Sequence, residues 1–333
     1  MWEPVGKEMV FRGVRAACLR SGEDTINDDY DMAIFFSSCE SRTLVGSQLL
    51  KEKSCRDAVV VFFKEAKEHD LRRIHDKKLL KQVRRVSKNA PLVISDASVK
   101  GAERLVEDIL YSAPPSAFGL NSHWFVDLGG APSSCYIGLL GYLRELHPAP
   151  RVTLFNPTGS YGNQQHGYSF TEGFEKHVWA PRFWGQPNPV LSWHYVFLMG
   201  FEGERCVKVL EECEPWIVSA ILGDPGYGPE DAEEALNRNE MFLREASLTE
   251  EDLIRCNAAS PTETWQALQD LVNRDDGKHN FCFVPLGTKG HAVGCALCAM
   301  ALSAPAVLCH IPRAYSIRDA KRGEYLWRYE ITL

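Results

Sequence analysis

Short apolar runs alternate with amphipathic segments along most of this 333-residue chain. Runs of strand length occur at residues 31–38, 58–63, 91–95, 124–128 and 151–156, and again at 195–200, 216–222, 253–257, 281–286 and 306–311. Segments with helical periodicity lie between them, at 42–52, 70–86, 102–111, 133–146, 205–212, 229–245, 262–272 and 291–302. Continuous apolar strands separated by amphipathic helices are typical of parallel sheets covered on both faces. The pattern therefore predicts an α/β fold of two Rossmann-like units with mostly parallel sheets.

The same order of elements occurs twice, which predicts an internal duplication. The chain divides into a first half at residues 1–156, a crossover at 157–190 and a second half at 191–333. A last apolar run, 325–331, is predicted as a strand that is antiparallel or at a sheet edge. Residues 1–30 are polar, and we expect them to be irregular apart from a short strand near residues 9–15.

The crossover is rich in glycine, proline, asparagine and aromatic residues. Its aromatic residues are Tyr161, Tyr168, Phe170, Phe174, Trp179, Phe183 and Trp184. So many aromatic side chains are atypical of a disordered linker. We therefore predict that the crossover is ordered and covers a cleft. If it is mobile instead, a surface for a partner protein becomes the better interpretation.

Composition limits the class of partner and the compartment. The net charge is −7, so the chain as a whole is not attracted electrostatically to nucleic acid or to an anionic membrane. A nucleic-acid partner is therefore not favoured. The basic segment 67–88 fits a solvated helix face, or less readily a surface for a polyanion. No run reaches the length of a membrane span and no signal peptide is recognisable, while the 11 cysteines resemble reduced core residues. We expect a cytoplasmic protein.

Candidate chemistry lies in the turns that follow the first and fourth strand of each half. In open α/β sheets, ligands bind beyond the carboxyl ends of the strands where the strand order reverses. Glycine-containing turns that start a helix there can hold an anion, although glycine also serves backbone geometry and packing alone. Glu40 and Glu202 suit ribose hydroxyls, or ion pairs with Arg42 and Arg205. The candidate ligand-binding residues are Ser37, Ser38, Glu40, Arg42, Gly129, Gly130, Ser133, Ser134, Gly200, Glu202, Arg205, Gly287, Thr288, Lys289 and His291.

The well-known catalytic and metal motifs are missing from the sequence. There is no GxGxxG after the first strand, no GxxxxGK[ST], no GxSxG and no HExxH. The Cys295–Cys298 pair has no second pair nearby, so we expect no metal site. Cys135 follows a helix start that would lower the pKa of its thiol, but no base is assigned to it. Histidines in apolar strands, such as His194 and His310, are predicted to be core residues.

The stretch Val284–Lys289, VPLGTK, resembles the strand–GTK–helix element of CARF-domain proteins, which sense cyclic oligoadenylates in CRISPR systems. Two fused units of this kind also resemble the SAVED sensor domains of related anti-phage systems. The resemblance implies that Gly287, Thr288 and Lys289 lie over ligand phosphates, with further contacts from the turn after the first strand. The first half departs from the motif, because its Leu128–Ala131 turn has no Thr-Lys.

These observations predict a cytoplasmic sensor or regulatory subunit that binds a nucleotide-type ligand and signals to another protein subunit or within a homo-oligomer. An enzyme that hydrolyses or transfers nucleotides or nucleosides in the same cleft is the second hypothesis. A scaffold subunit that binds a partner protein through the crossover is the third. The sequence assigns no cofactor and no catalytic residue.

Overall fold

A computed structural model describes residues 2–21, 25–65, 69–160, 171–315 and 320–333. The strands in this part of the chain are β1 (Glu3–Pro4), β2 (Met9–Phe11), β3 (Val14–Ser21), β4 (Tyr30–Phe36), β5 (Cys55–Phe63), β6 (Leu92–Ala97), β7 (His123–Asp127), β8 (Arg151–Ser160), β9 (Thr171–Trp179), β10 (Trp193–Leu198), β11 (Ile217–Gly223), β12 (Ile254–Cys256), β13 (Asn280–Pro285), β14 (Ala306–Tyr315) and β15 (Lys321–Thr332). The α-helices are α1 (Val45–Leu49), α2 (Asp70–Val86), α3 (Ala102–Ser112), α4 (Ser133–Arg144), α5 (Gly203–Cys213), α6 (Asp231–Arg238), α7 (Glu240–Glu245), α8 (Pro261–Asp275) and α9 (Lys289–Leu302). Short 3₁₀ helices occupy Ser41–Leu44, Pro115–Phe118 and Glu250–Asp252.

The first compact unit contains residues 2–8, 15–160 and 320–333 of the described chain. Its sheet runs in the order β1-β3-β15-β8-β7-β4-β5-β6. Strands β8, β7, β4, β5 and β6 pair in parallel, whereas β15 pairs antiparallel with both β8 and β3. The central strand β4 is buried from Met32 to Phe36 because its residues are apolar on both faces.

The second compact unit contains residues 9–14 and 171–315 of the described chain. Its sheet runs in the order β12-β11-β10-β13-β14-β9. The first five strands of that order are parallel, and β9 pairs antiparallel with β14. Helix α9 is buried along most of its length, which explains why its sequence is apolar all round rather than amphipathic.

The predicted fold class is confirmed, since both sheets are mostly parallel and alternate with helices in the α/β manner. In chain order, the parallel strands of each unit are arranged 3-2-1-4-5. An antiparallel strand lies beside the fifth strand of each unit, β15 in the first and β9 in the second. A duplication would produce this agreement, but the duplication itself stays a prediction.

The unit boundaries differ from the divisions drawn from the sequence. The last strand, expected at the end of the second half, lies inside the first unit's sheet between β3 and β8. It is antiparallel, as one of the two alternatives had it, but it is not an edge strand. The crossover is divided between the units: β8 continues to residue 160 in the first, and β9 belongs to the second. The sequence-based division was misleading because antiparallel pairing places β15, the last strand of the chain, beside β8, which is remote from it in sequence.

Two further local predictions were wrong. Residues 14–21 form the eight-residue strand β3, with buried residues at positions 14, 16, 18 and 21, where irregular chain was expected. The predicted helix 229–245 is interrupted between α6 and α7 at Asn239. This buried side chain donates to the carbonyl oxygens of Ala235 (2.8 Å) and Gly200 (2.7 Å), and so takes part in capping the break.

Within the described part of the crossover, the aromatic residues are unequally packed. Phe183 is 4% exposed, while Trp179 and Trp184 are 39% and 51% exposed. Tyr161, Tyr168 and Phe170 lie outside the described residues. In this part of the crossover, β9 and the segment after it are held by backbone hydrogen bonds to β14, in agreement with the predicted order.

The basic helix α2 presents most of its cations to solvent. Arg73, Lys77, Lys78, Lys81 and Arg84 are exposed, as the solvated-face interpretation requires. Arg72 is the exception, with 3% exposure, and contributes to the buried network described below. No helix of the described chain has both the length and the apolar composition needed to cross a membrane.

Candidate functional site

The strand order places one switch point in each unit, between the first and fourth parallel strands, as predicted. In the first unit β4 lies between β5 and β7, and in the second β10 lies between β11 and β13. The paired strands end together: Leu198 is opposite Pro285, and Ile34 is opposite Val126. The turns that follow them therefore meet at the carboxyl edge of each sheet, where α/β proteins bind ligands.

Buried polar contacts hold the first unit's turn after β4. Ser37 is fully buried, and its hydroxyl donates to Asp76 on α2. Asp76 also accepts from Arg72 Nε at 2.8 Å, and the Arg72 guanidinium reaches the Phe63 carbonyl oxygen at 3.4 Å. Ser37, Asp76 and Arg72 thus connect β4, α2 and β5. Because the Ser37 hydroxyl donates its hydrogen bond to Asp76, we assign Ser37 a structural role.

The next residues of that turn are also engaged. Ser38 Oγ accepts from the backbone N–H of Glu40 at 3.0 Å, and His75 Nδ1 lies 3.2 Å from the Ser38 carbonyl oxygen. Glu40 and Arg42 form an ion pair, with Arg42 Nε 2.6 Å from Glu40 Oε2. The salt-bridge interpretation of this pair therefore matches the geometry.

The glycine turn after β7 packs directly on the turn after β4. A Cβ atom at Gly130 would collide with the Phe36 carbonyl oxygen and lie 2.9 Å from Thr43 Oγ1. At Gly129 a Cβ would lie 3.0 Å from the Arg42 carbonyl oxygen. Close approach of the two turns accounts for both glycines without a ligand. The sequence-predicted groups around Arg42 and Gly130 are therefore brought together.

Helix α4 begins at this edge with Ser133 and Ser134, and its N-cap residue, Pro132, supplies no side-chain hydrogen bond. Ser133 is partly exposed. Ser134 is 1% exposed, and its Oγ has no hydrogen-bond partner among the described residues. Of the two, only Ser133 is placed to meet a molecule from solvent.

In the second unit, Glu202 joins the first strand's turn to β9. Its Oε1 accepts from the Thr171 backbone N–H at 2.7 Å and from Thr171 Oγ1 at 2.6 Å. Its Oε2 accepts from Arg205 at 3.0 Å. Both carboxylate oxygens are therefore used inside the protein, as the ion-pair interpretation predicts. The link to β9 could not be foreseen, because β9 itself was not predicted.

The second glycine turn is packed in the same manner as the first. A Cβ at Gly287 would lie 2.6 Å from the Met199 carbonyl oxygen, so Gly287 allows the turn after β13 to touch the turn after β10. Thr288 is the N-cap of α9: its Oγ1 accepts from the His291 backbone N–H at 3.3 Å and donates to the Ala258 carbonyl oxygen. Lys289 is the first residue of the helix and is partly exposed.

His291, expected to reach a ligand, points into the core. Its side chain is fully buried, and Nε2 lies 3.7 Å from Cys256 Sγ. Burial lowers the pKa of His291 from 6.5 to about 4, so the ring is neutral at pH 7. Gly287, Thr288 and Lys289 therefore lie partly exposed at the switch point, whereas the His291 ring is buried in the core.

A group of polar side chains near this edge was missed. His310 on β14 is directly opposite His177 on β9, with ring centroids 5.4 Å apart. Both ring nitrogens of His310 lack a hydrogen-bond partner among the described residues, and Arg205 Nε also lacks one. Burial, followed by the Arg205 and His177 charges, lowers the pKa of His310 to about 3. The histidines were visible in the sequence, but their pairing depends on the unpredicted strand β9.

Another concave surface lies elsewhere in the first unit. A groove of about 670 Å³ is lined by Arg104, Glu107, Asp108, Leu110, Tyr111, Phe118 and Leu146. None of these was a predicted site residue. The groove follows helix α3 and is open to solvent, with Tyr111 96% exposed.

Comparison with known proteins adds no family to this description. Searches with protein-family models and against curated protein sequences gave no significant match. The functional argument therefore depends on the geometry of the chain itself.

Proposed function

We propose that this is a cytoplasmic protein that binds a nucleotide-type ligand at the switch point of its second unit and acts as a sensor or regulatory subunit. The observation that supports the proposal is the position of the Gly287–Lys289 turn. It follows the fourth parallel strand, beside the turn after the first strand, and starts the 14-residue helix α9. A helix N-terminus at a switch point favours an anion such as a phosphate.

The cations nearby fit the same class of ligand. Arg205 lies in the first turn of α5 and Lys289 in the first turn of α9, so the two helices that follow the strands flanking the switch point each carry a cation near their N-terminus. A cation at a helix N-terminus is unfavourable by about 0.3–1 kcal/mol. Glu202 compensates Arg205. A bound phosphate would compensate Lys289 further, in the way that the CARF and SAVED resemblance implies.

The first unit is a weaker candidate for the same role. Its corresponding turn has no Thr-Lys, and the buried Ser37, Asp76 and Arg72 network already uses the polar groups that follow β4. We therefore assign nucleotide binding to the second unit. The signal would pass to another protein subunit or to a second copy of the chain.

The Lys289→Ala variant tests the proposal. Purified wild type is mixed with ATP, cyclic AMP and linear and cyclic oligoadenylates, and thermal unfolding is measured together with chromatography of the nucleotides. A sensor is stabilised by a nucleotide that it does not consume. For that nucleotide, Lys289→Ala should weaken binding by on the order of ten- to a hundredfold, because a charged hydrogen bond is lost.

Lys278→Ala is the matched control, since Lys278 is an exposed lysine close to the start of β13, at the opposite end of that strand. It should leave affinity unchanged. If no nucleotide in the panel stabilises the wild type, or if Lys289→Ala lowers the melting temperature and keeps the affinity, the phosphate role is wrong. Release of a product would instead support the enzyme hypothesis.

A further inference from the structure

We infer that His194, Asp275 and His279 form a binding site for a divalent transition metal such as Zn²⁺. One ligand atom from each side chain lies within 4.8 Å of the other two. Tetrahedral zinc with bond lengths near 2.0–2.1 Å needs ligand atoms about 3.3 Å apart, so modest side-chain rotations would complete the geometry. This site was not predicted from the sequence, which led us to expect no metal.

Three separate elements bring the ligands to the amino edge of the second sheet. His194 is the second residue of β10, Asp275 is the last residue of α8, and His279 immediately precedes β13. Strands β10 and β13 are paired, with His194 opposite Phe281, which fixes His279 two residues from that register position. This edge is opposite to the one proposed for the nucleotide, so the two proposals are independent.

The hydrogen bonding of His194 leaves one nitrogen for a metal. Its Nε2 lies 2.8 Å from Ser219 Oγ on β11, while Nδ1 is buried without a hydrogen-bond partner among the described residues. The side chain as a whole is 6% exposed. Histidine ligands commonly donate their second ring N–H to a neighbouring polar group, which fixes the ring and leaves the lone pair on the other nitrogen. The Ser219 hydroxyl can serve as that acceptor.

His279 and Asp275 already form a matched pair. His279 Nδ1 lies 2.5 Å from Asp275 Oδ1, and the His279 backbone N–H donates to Asp275 Oδ2 at 2.8 Å. These contacts end helix α8 and would exist without a metal, so they explain two of the three residues structurally. They do not explain why a third, buried imidazole with an unused nitrogen lies against the pair.

Asp275 and His279 are partly exposed, so an ion and a water ligand can enter the site from solvent.

Zinc uptake by chelator-treated full-length protein tests the site. Equilibrium dialysis against Zn²⁺, followed by elemental analysis, should give one zinc per chain. His194→Gln and His279→Asn should each weaken zinc binding at least tenfold. His310→Phe, which removes another buried histidine of the same unit, should retain it. At a hundredfold excess of zinc over its dissociation constant, the wild type should melt on the order of 5 °C higher.

Cobalt substitution separates this site from binding by the cysteines. The expected Co²⁺ spectrum has visible bands of nitrogen and oxygen ligands without a strong thiolate band in the near ultraviolet. Absence of a stoichiometric site, a thiolate band, or full zinc binding in both His194→Gln and His279→Asn would overturn the inference. His279 precedes its strand and is partly exposed, so His279→Asn alone decides the matter if His194→Gln does not fold.

Discussion

His310 shows how a buried imidazole contributes to the pH dependence of folding. It is 5% exposed, it packs against Phe174 with ring centroids 5.3 Å apart, and its ring nitrogens have no hydrogen-bond partner among the described residues. Its pKa is lowered to about 3, whereas an unfolded histidine titrates near 6.5. As the pH falls below 6.5, His310 becomes protonated in the unfolded chain but stays neutral in the folded chain, so the free energy of unfolding decreases.

Replacing His310 with Phe should therefore flatten the pH dependence of folding. Each pH unit between 6.5 and 3 costs the wild type about 1.4 kcal/mol through this group, so the penalty at pH 5 is about 2 kcal/mol. The variant should lose that part of the penalty, while its stability at pH 7 is unchanged or raised, because an unsatisfied polar group has been removed. Urea unfolding at pH 7 and pH 5 measures both quantities. An equal loss of stability in wild type and variant would contradict the assigned burial.

At the scale of elements, the contact between turns makes the strongest prediction. Gly130→Ala should destabilise the protein by roughly 1–3 kcal/mol, because the new methyl group meets the Phe36 carbonyl oxygen, and this backbone atom can move only if the chain shifts. Gly119→Ala is the control, since its Cβ would have its nearest neighbour, the Ser116 carbonyl oxygen, 3.8 Å away. Chemical denaturation of the two variants compares them. Equal stability would show that the two turns are not in contact.

The helices and parallel strands could be predicted because their signals are local. Helix α2 coincides with its prediction at residues 70–86, and β4, β7 and β13 begin or end within two residues of theirs. Local signals failed where pairing is remote. Strand β9 has few apolar residues and is mostly exposed or half-buried, so its periodicity is weak, and its identity depends on β14.

The switch points could be predicted, but the contacts of the residues around them could not. The order of elements along the chain indicated that the first and fourth strands of each half flank a switch point, and the sheet order agrees. The roles of individual side chains depended on partners far along the chain, as with Ser37 and Asp76, 39 residues apart, or Glu202 and Thr171, 31 residues apart. His291 was misplaced for a simpler reason: the direction of a side chain on a buried helix cannot be inferred from a motif.

Over the whole molecule, two compact units share one order of parallel strands but differ at their switch points. The first unit's edge is occupied by a buried network of serine, aspartate and arginine. The second unit's edge has a threonine-capped helix with a lysine at its first position. This difference leads us to propose that the nucleotide binds to the second unit alone. It also predicts which backbone amides a ligand should protect from hydrogen exchange.

Hydrogen–deuterium exchange with the nucleotide panel tests the central proposal most directly. Binding at the second switch point should slow exchange in residues 200–205 and 287–293 and leave residues 37–42 and 129–134 of the first unit unchanged. Peptides from residues 103–111, along the open groove, serve as an internal reference. Protection confined to the first unit, or no protection by any nucleotide at millimolar concentration, would contradict the account.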